Sequence, residues 1–409
     1  MVYIRFRPHI LQSPIPRIGL PLGSFFIQKS AINSLIINGS DMTQSSRRNF
    51  LKTSAVGAAA ITSVSGVGIH SAQAQSKNQK SNIEQKANEV SQKLFADDGL
   101  AIPIATKPTV SKFAKGLDRT LVLGGGGEYY IAWYCGFFHG LMEAGLDMVK
   151  LPEMVVGTSA GAYMGSSLLS GEFSRLRTEF DFFGKFPEIF AKIAPVAKPN
   201  LSQFRADQIN MSASDGSIET RRVIGHAALA ANNKIDSNHI ERVAALLTGD
   251  SKKDWPASRM YTTGIDCYTG ERLVVSQAVA RKNNIALAHG AAASCSLPGI
   301  AGPTLLGQRY VMDGGICSNP AHLDLVAGSK RALVITLTDG VTGAVLTTIP
   351  HPIAQNIKDI EATGTKVKWV VAGTPAGLNL LDPKQISGAI RTGYERAKLE
   401  APIIRQFWA

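Results

Sequence analysis

Short apolar runs along the chain end in glycine-rich turns, and most are followed by apolar residues at helical spacing. Thr120-Leu-Val-Leu123 is a β-type run that stops at Gly124-Gly125-Gly126-Gly127. Behind it, Ile131, Tyr134, Cys135, Phe138, Leu141 and Met142 fall on one helical face, and Gly145 ends the helix. Met154-Val-Val-Gly157 repeats the arrangement: the run ends at Gly157, and Gly161, Ala162, Gly165 and Ser166 continue at helical spacing. Further along, Met260–Ile265 and Arg272–Ser276 read as paired strands around the turn Cys267-Tyr-Thr-Gly270. Ile285–Ala293 is a small-residue helix broken by Leu297-Pro-Gly299, and Arg309–Met312 is a strand running into Asp313-Gly314-Gly315. Arg331–Thr336 and Val367–Val371 are further strands, and Ile386–Ala397 is a late helix. The pattern is weakest from Gly171 to Pro256. There, helices are expected from Arg221-Arg222 through His226 and over Ile240–Leu247. Phe180, Phe182, Phe183, Phe186 and Phe190 form an aromatic patch before Pro195 and Pro199, expected to pack inside, with a lipid-facing surface as the alternative.

The first hundred residues are of another kind. Ser46-Arg47-Arg48-Asn49-Phe50-Leu51-Lys52 precedes an uncharged stretch from Thr53 to Ile69, and Ala72-Gln-Ala74 closes it with small residues. A basic start, a moderately apolar middle and a cleavable end make a twin-arginine export signal over 42–74. Its middle is diluted by Gly, Ser and Thr, so it makes a poor permanent span. With no cysteine at the cleavage region, a lipoprotein anchor is not expected. Residues 1–41 are expected to be a misassigned extension, with Met42 as the start. Residues 75–100 read as a polar linker and 101–409 as the folded domain, with its core motifs in 120–327 and an α/β extension behind them.

Composition narrows the class. An apolar fraction of 44 % indicates a sizeable core. The net charge of +12 is partly a property of the first 74 residues, which carry seven Lys/Arg against one Asp. From residue 75 on, 36 basic residues face 30 acidic ones, with no dense basic run interleaved with aromatics, so nucleic-acid binding is not expected. Cys135, Cys267, Cys295 and Cys317 are widely spaced, without a metal or redox pattern, and Cys135 reads as a buried thiol. No calcium-ligand loop is present, and no metal or cofactor is expected.

The candidate chemistry sits at the turns. Gly157-Thr-Ser159-Ala-Gly161 is Gly-x-Ser-x-Gly between strand and helix, a turn that points a serine hydroxyl outward and needs small neighbours. Ser159 is the expected nucleophile, and the amide of Ala160 opens the following helix. The glycine loop before the first helix is an anion cradle. A dinucleotide is disfavoured because Tyr129 stands where a third glycine belongs, and a nucleotide phosphate because no Gly-Lys-Ser/Thr follows. An acyl-transfer oxyanion needs only N–H donors, which Gly125, Gly126, Gly127 and Ala160 can offer. Asp313 ends a strand, and in an open α/β sheet chemistry collects at the carboxyl ends of strands, which places it with Ser159.

Taken in order, Gly124-Gly-Gly-Gly127, Gly157-Thr-Ser-Ala-Gly161 and Asp313-Gly314-Gly315, with Ser294-Cys-Ser-Leu-Pro-Gly299 before the acid, resemble the patatin-like phospholipases over Thr120 to Ala327. The resemblance implies a three-layer α/β fold with a central, mostly parallel sheet and a Ser159–Asp313 dyad. It implies glycine-loop amides as the oxyanion hole, a lipid or phospholipid substrate met transiently at a membrane surface, and no metal. One departure is that Glu128-Tyr129 replaces the family's basic residue and last glycine: backbone donors survive, but a cation that orients a phosphate does not. Two other readings stand beside this one. One is a Ser–Asp–His hydrolase using His322 or His351, and the other a non-catalytic, exported lipid-binding protein.

Overall fold

The computed structural model describes residues 85–86, 89–90, 93–95, 98–193, 200–212, 215–231, 254–255, 258–339, 353–374 and 378–409. The expected export signal, the 1–41 extension, the 240–247 helix, Pro195, Pro199 and His351 lie outside the described residues.

Strands β1 (Arg119–Leu123), β2 (Met154–Gly157) and β7 (Arg331–Thr336) are buried along nearly their whole length, as strands covered on both faces must be. Their side chains alternate between two cores. Leu121, Leu123, Val155, Leu333 and Ile335 join one cluster, and Val122, Val156, Ala332 and Val334 join another on the opposite face. The result is three layers. With β3 (Met260–Asp266), β4 (Arg272–Val275), β5 (Thr304–Leu306), β6 (Arg309–Asp313) and β8 (Lys366–Val371), the described residues form an eight-stranded sheet. The order is β5-β6-β3-β2-β1-β7-β8, with β4 also paired to β3. The five strands from β3 to β8 in that order are parallel, whereas β4, β5 and β6 pair antiparallel.

Ten helices are described: α1 (Gly127–Glu143), α2 (Ala160–Leu169), α3 (Phe173–Lys185), α4 (Pro187–Ile193), α5 (Leu201–Met211), α6 (Ile218–Ala231), α7 (Gln277–Lys282), α8 (Leu287–Ser294), α9 (Ile353–Glu361) and α10 (Ile386–Trp408). Sequence gives α1 one apolar face, but the helix is buried nearly all round, because α10 covers the side turned away from the sheet. Gly136 and Gly140 of α1 and Gly393 of α10 make that seam close: a methyl group at any of them meets the other helix. The late helix expected to end at Ala397 runs on to Trp408 and passes through Pro402. Burial of Ala401, Ile404 and Trp408 outweighs the hydrogen bond that proline omits.

Two expectations are corrected. Asp98–Leu100, assigned to the polar linker, belongs to the packed fold: Leu100 is in the core and Asp98 pairs with the buried Arg309 at 2.6 Å. The second concerns how Asp313 reaches Ser159. Asp313 does not sit at the carboxyl end of a parallel strand, because β6 runs against β3. Thr262 pairs with both Gly157 and Val275, and Gly264 with both Leu273 and Asp313. Since β4 occupies one edge of β3 from Thr262 to Ile265, β2 and β6 share the other. β6 takes over where β2 stops, approaches from beyond the sheet, and ends facing the end of β2.

Candidate active site

Ser159 sits between β2 and α2 with φ 53° and ψ −123°, a left-handed conformation that a side-chain-bearing residue adopts only under constraint. The constraint is visible on both sides. The Thr158 amide donates to the Leu123 carbonyl at 3.0 Å, and the hydroxyls of Thr158 and Thr263 are 2.9 Å apart. The Ser159 amide donates to Ser294 Oγ at 2.9 Å. Gly161 lets α2 start directly against β1, because a Cβ there would collide with the Leu123 carbonyl.

Asp313 is fixed in the same way: its amide donates to the Ser296 carbonyl at 2.8 Å, and its Oδ1 accepts from the Gly315 amide at 2.8 Å. The Ser294–Ser296 turn after α8 therefore holds both residues, Ser159 by a side chain and Asp313 by a carbonyl. Asp313 Oδ2 is buried with no formed hydrogen bond. Burial pushes the carboxyl up to about 6, against the pull of the Gly315 amide and of the Ser159 hydroxyl that faces it. A loose nucleophile–base hydrogen bond is common before substrate binds.

The glycine loop passes directly over the serine. A Cβ on Gly125 would lie 2.8 Å from Ser159 Cβ and 3.5 Å from its Oγ, so no side chain fits between them. Gly124 anchors the loop to β7 through the Ile335 carbonyl at 3.0 Å. The amides of Gly125, Gly126, Gly127 and Ala160 have no backbone acceptor among the described residues. These amides lie at the starts of α1 and α2, with Gly125 against Ser159. Gly157, Gly314 and Gly315 line the turns that carry the two side chains, and Gly314 leaves no room for a Cβ against Thr263.

Two groups here were not assigned a place from sequence. Glu128 turns inward: its Oε2 is buried without a partner, and desolvation raises the carboxyl to about 7. Cys295 lies beside it. Burial, then the negative charges of Asp313 and Glu128, push its thiol up, while the Ser159 hydroxyl opposes the rise. The signal available was the departure at Glu128 itself, since a carboxyl in place of a cation changes the charge of the site. Cys295 and Ser294 fall in the Ser294–Gly299 motif, which gives neither side chain a contact or a role.

His322 faces away from the Asp313 carboxyl. Its Nε2 hydrogen bonds to the Gly314 carbonyl at 2.8 Å, and its Nδ1 lies 3.5 Å from Arg272 Nη1. Burial, then the charge of Arg272, holds it down to about 3, so the ring is neutral, donates from Nε2 and accepts at Nδ1. It is a positioning residue for the turn behind Asp313. His322→Gln is expected to lower kcat by far less than a change at Asp313 and to leave the pH profile of kcat/KM unshifted. A triad histidine would instead erase acylation, so the two profiles measured side by side decide between them.

Among the described residues, no group of three or more His, Cys, Asp or Glu is placed to hold a metal ion.

No curated protein sequence matches the chain. Among solved structures, VipD from Legionella pneumophila is similar at 14 % identity, over 74 % of this chain and 71 % of that one, with a TM-score of 0.36. The type III effector protein ExoU is similar at 15 % identity, over 76 % of this chain and 56 % of that one, with a TM-score of 0.30. The twin-arginine translocation signal profile matches residues 44–62, so the chain is exported across the cytoplasmic membrane. The profile of the patatin-like phospholipases matches residues 121–325, which span β1, the glycine loop, Ser159 and Asp313, and the chain belongs to this family of lipid ester hydrolases.

Proposed function

We propose that the chain is an exported serine acyl hydrolase that cleaves lipid esters with a Ser159–Asp313 dyad, its signal removed after Ala74. The observation that carries the reading is the meeting of three features: a strained serine, a buried carboxyl facing it, and unpaired amides at Gly125 directly above. Asp313, ionised, takes the Ser159 proton as Oγ bonds to the ester carbonyl carbon. The carbonyl oxygen becomes an oxyanion, held by the amides of Gly125, Gly126, Gly127 and Ala160; losing one such donor typically costs about 3–4 kcal/mol of transition-state stabilisation. Collapse breaks the bond to the alcohol, which leaves with the proton held by Asp313. Water then gives a proton to Asp313 and its oxygen to the acyl carbon, and Ser159 recovers its hydrogen as the fatty acid departs.

A lipid surface is favoured by the neighbourhood of the site. Helix α5 exposes Leu201 (89 %) and Phe204 (53 %), and its backbone packs on Gly299, in the stretch that leads from the Ser294–Ser296 turn to β5. The aromatic patch divides: Phe180, Phe183 and Phe190 are buried, while Phe182 and Phe186 remain exposed, their rings 4.9 Å apart. Exposed apolar groups of this kind suit transient contact with a bilayer.

The test is release of fatty acid from phospholipid vesicles and from a neutral acylglycerol emulsion, with the soluble short-chain ester as reference. Fatty-acid release from either aggregated lipid that exceeds hydrolysis of the soluble short ester supports the reading. Absence of hydrolysis in all three formats overturns it in favour of lipid binding without turnover.

A further inference from the structure

A cavity of about 670 Å³ lies behind the turn that follows Asp313 and shares no lining residue with the Ser159 site. One wall is the start of α6, Gly216-Ser217-Ile218, and Gly216 brings it hard against the backbone of Ser318. Arg221, one turn into α6, lines the same wall.

Arg221 is unusual among the buried arginines. It is 8 % exposed, and its Nε donates to the Ser217 carbonyl at 3.3 Å, yet neither terminal nitrogen has a hydrogen bond or ion pair among the described residues. Arg272, on another wall, is held by both oxygens of Asp324 at 2.6 and 2.8 Å, and Arg309 by Asp98 and Asp266. The two terminal nitrogens are therefore open to the cavity, on a residue otherwise packed inside the fold, and an anion there gains charge-assisted hydrogen bonds from them. The amides of Ile218 and Glu219 also have no acceptor among the described residues, because Ser217 and Asp215 engage only the donors around them. Across the cavity, Asn356 Oδ1 is buried without a partner, and the side-chain amide turned over presents N–H groups instead. The two carboxylates on the walls are occupied: Glu271 by Thr269 and Arg309, Asp359 by Gln355.

We propose that this cavity binds a phosphate-type oxyanion, free or as the head group of a lipid, between the Arg221 guanidinium and the first turn of α6. A helix N-terminus and a guanidinium are complementary donors for such a group. The site is separate from the ester-cleaving one, and its occupancy does not depend on turnover.

The test is calorimetric titration of the full chain carrying Ser159→Ala, at constant ionic strength, with inorganic phosphate and with monomeric dihexanoyl phosphatidate. Saturable one-to-one binding is expected, retained in Arg221→Lys and weakened about tenfold or more in Arg221→Met, the scale of one charged hydrogen bond. Arg221→Gln replaces the methionine variant should that one fail to fold. Equal binding of both probes assigns a free anion, and binding of phosphatidate alone assigns a lipid head group. No saturable binding of either probe, or binding that loss of the Arg221 charge leaves unchanged, overturns the proposal.

Discussion

Asp313→Asn is expected to lower ester hydrolysis by about 10²- to 10⁴-fold, the range of a lost general base, while making the protein more stable above pH 7. The two effects have one cause. Burial raises the carboxyl to about 6, well above an aspartate in the unfolded chain. That value suits a base near neutral pH, and it also means the folded state holds this proton more tightly than the unfolded state. Stability is therefore greatest below the unfolded value and is lost as pH rises through the folded one, with the full penalty in place above pH 7. A shift of this size corresponds to about 3 kcal/mol, as an order of magnitude. Asparagine keeps the shape and cannot ionise, so its advantage in urea unfolding should appear at pH 8 and vanish below pH 4. The acid limb of kcat/KM near pH 6 should disappear with the carboxylate. A variant that is equally inactive but no more stable at pH 8 would show that the aspartate is not a desolvated base.

Gly161→Ala is expected to damage both stability and activity, although it adds one methyl group to a helix interior where alanine is intrinsically preferred. The new Cβ points at the Leu123 carbonyl, part of the end of β1, and backbone there cannot swing aside as a side chain would. Overpacking of this kind costs about 1–3 kcal/mol. Relief by moving α2 shifts Ser159, two residues upstream, relative to Gly125 and Asp313. A displacement near 1 Å is worth about 100-fold in rate. Thermal melts with hydrolysis assays on Gly161→Ala, beside Gly388→Ala as a helical control with open space around it and no positive φ, separate the two contributions.

Much of this arrangement was legible because its signals are local. A strand, a glycine turn and a helix follow one another in sequence at Leu123–Gly127 and at Gly157–Gly161, and each unit is written in consecutive residues even though distant ones hold it in place. The direction of β6 was not local. Its residues read as a strand whichever way it runs, and only pairing with β3 decides that it arrives antiparallel and meets the end of β2. The Ser294–Ser296 clamp was noticed as a motif, but its action needs two contacts to residues 135 and 17 positions away, which no periodicity encodes. Glu128 stood out as a charge of the wrong sign, yet burial of its carboxyl depends on how the start of α1 sits in the fold. His322 read as a catalytic candidate because the chain order Ser159, Asp313, His322 matches that of a Ser–Asp–His hydrolase, and only the geometry turns its ring toward the Gly314 carbonyl. The extent of α10 was missed for a similar reason: tertiary burial of Ile404 and Trp408 overrides a proline that sequence rules treat as a stop.

Covalent labelling decides whether Ser159 is a nucleophile activated by Asp313. Purified protein would be exposed to a serine-reactive fluorophosphonate, with Ser159→Ala and Asp313→Asn in parallel, and the labelled peptide mapped by mass spectrometry. One adduct is expected on Ser159 in wild type, none in the alanine variant and much slower labelling in the asparagine variant. Labelling that persists in Ser159→Ala, or a correctly folded wild type that does not label at all, would contradict it.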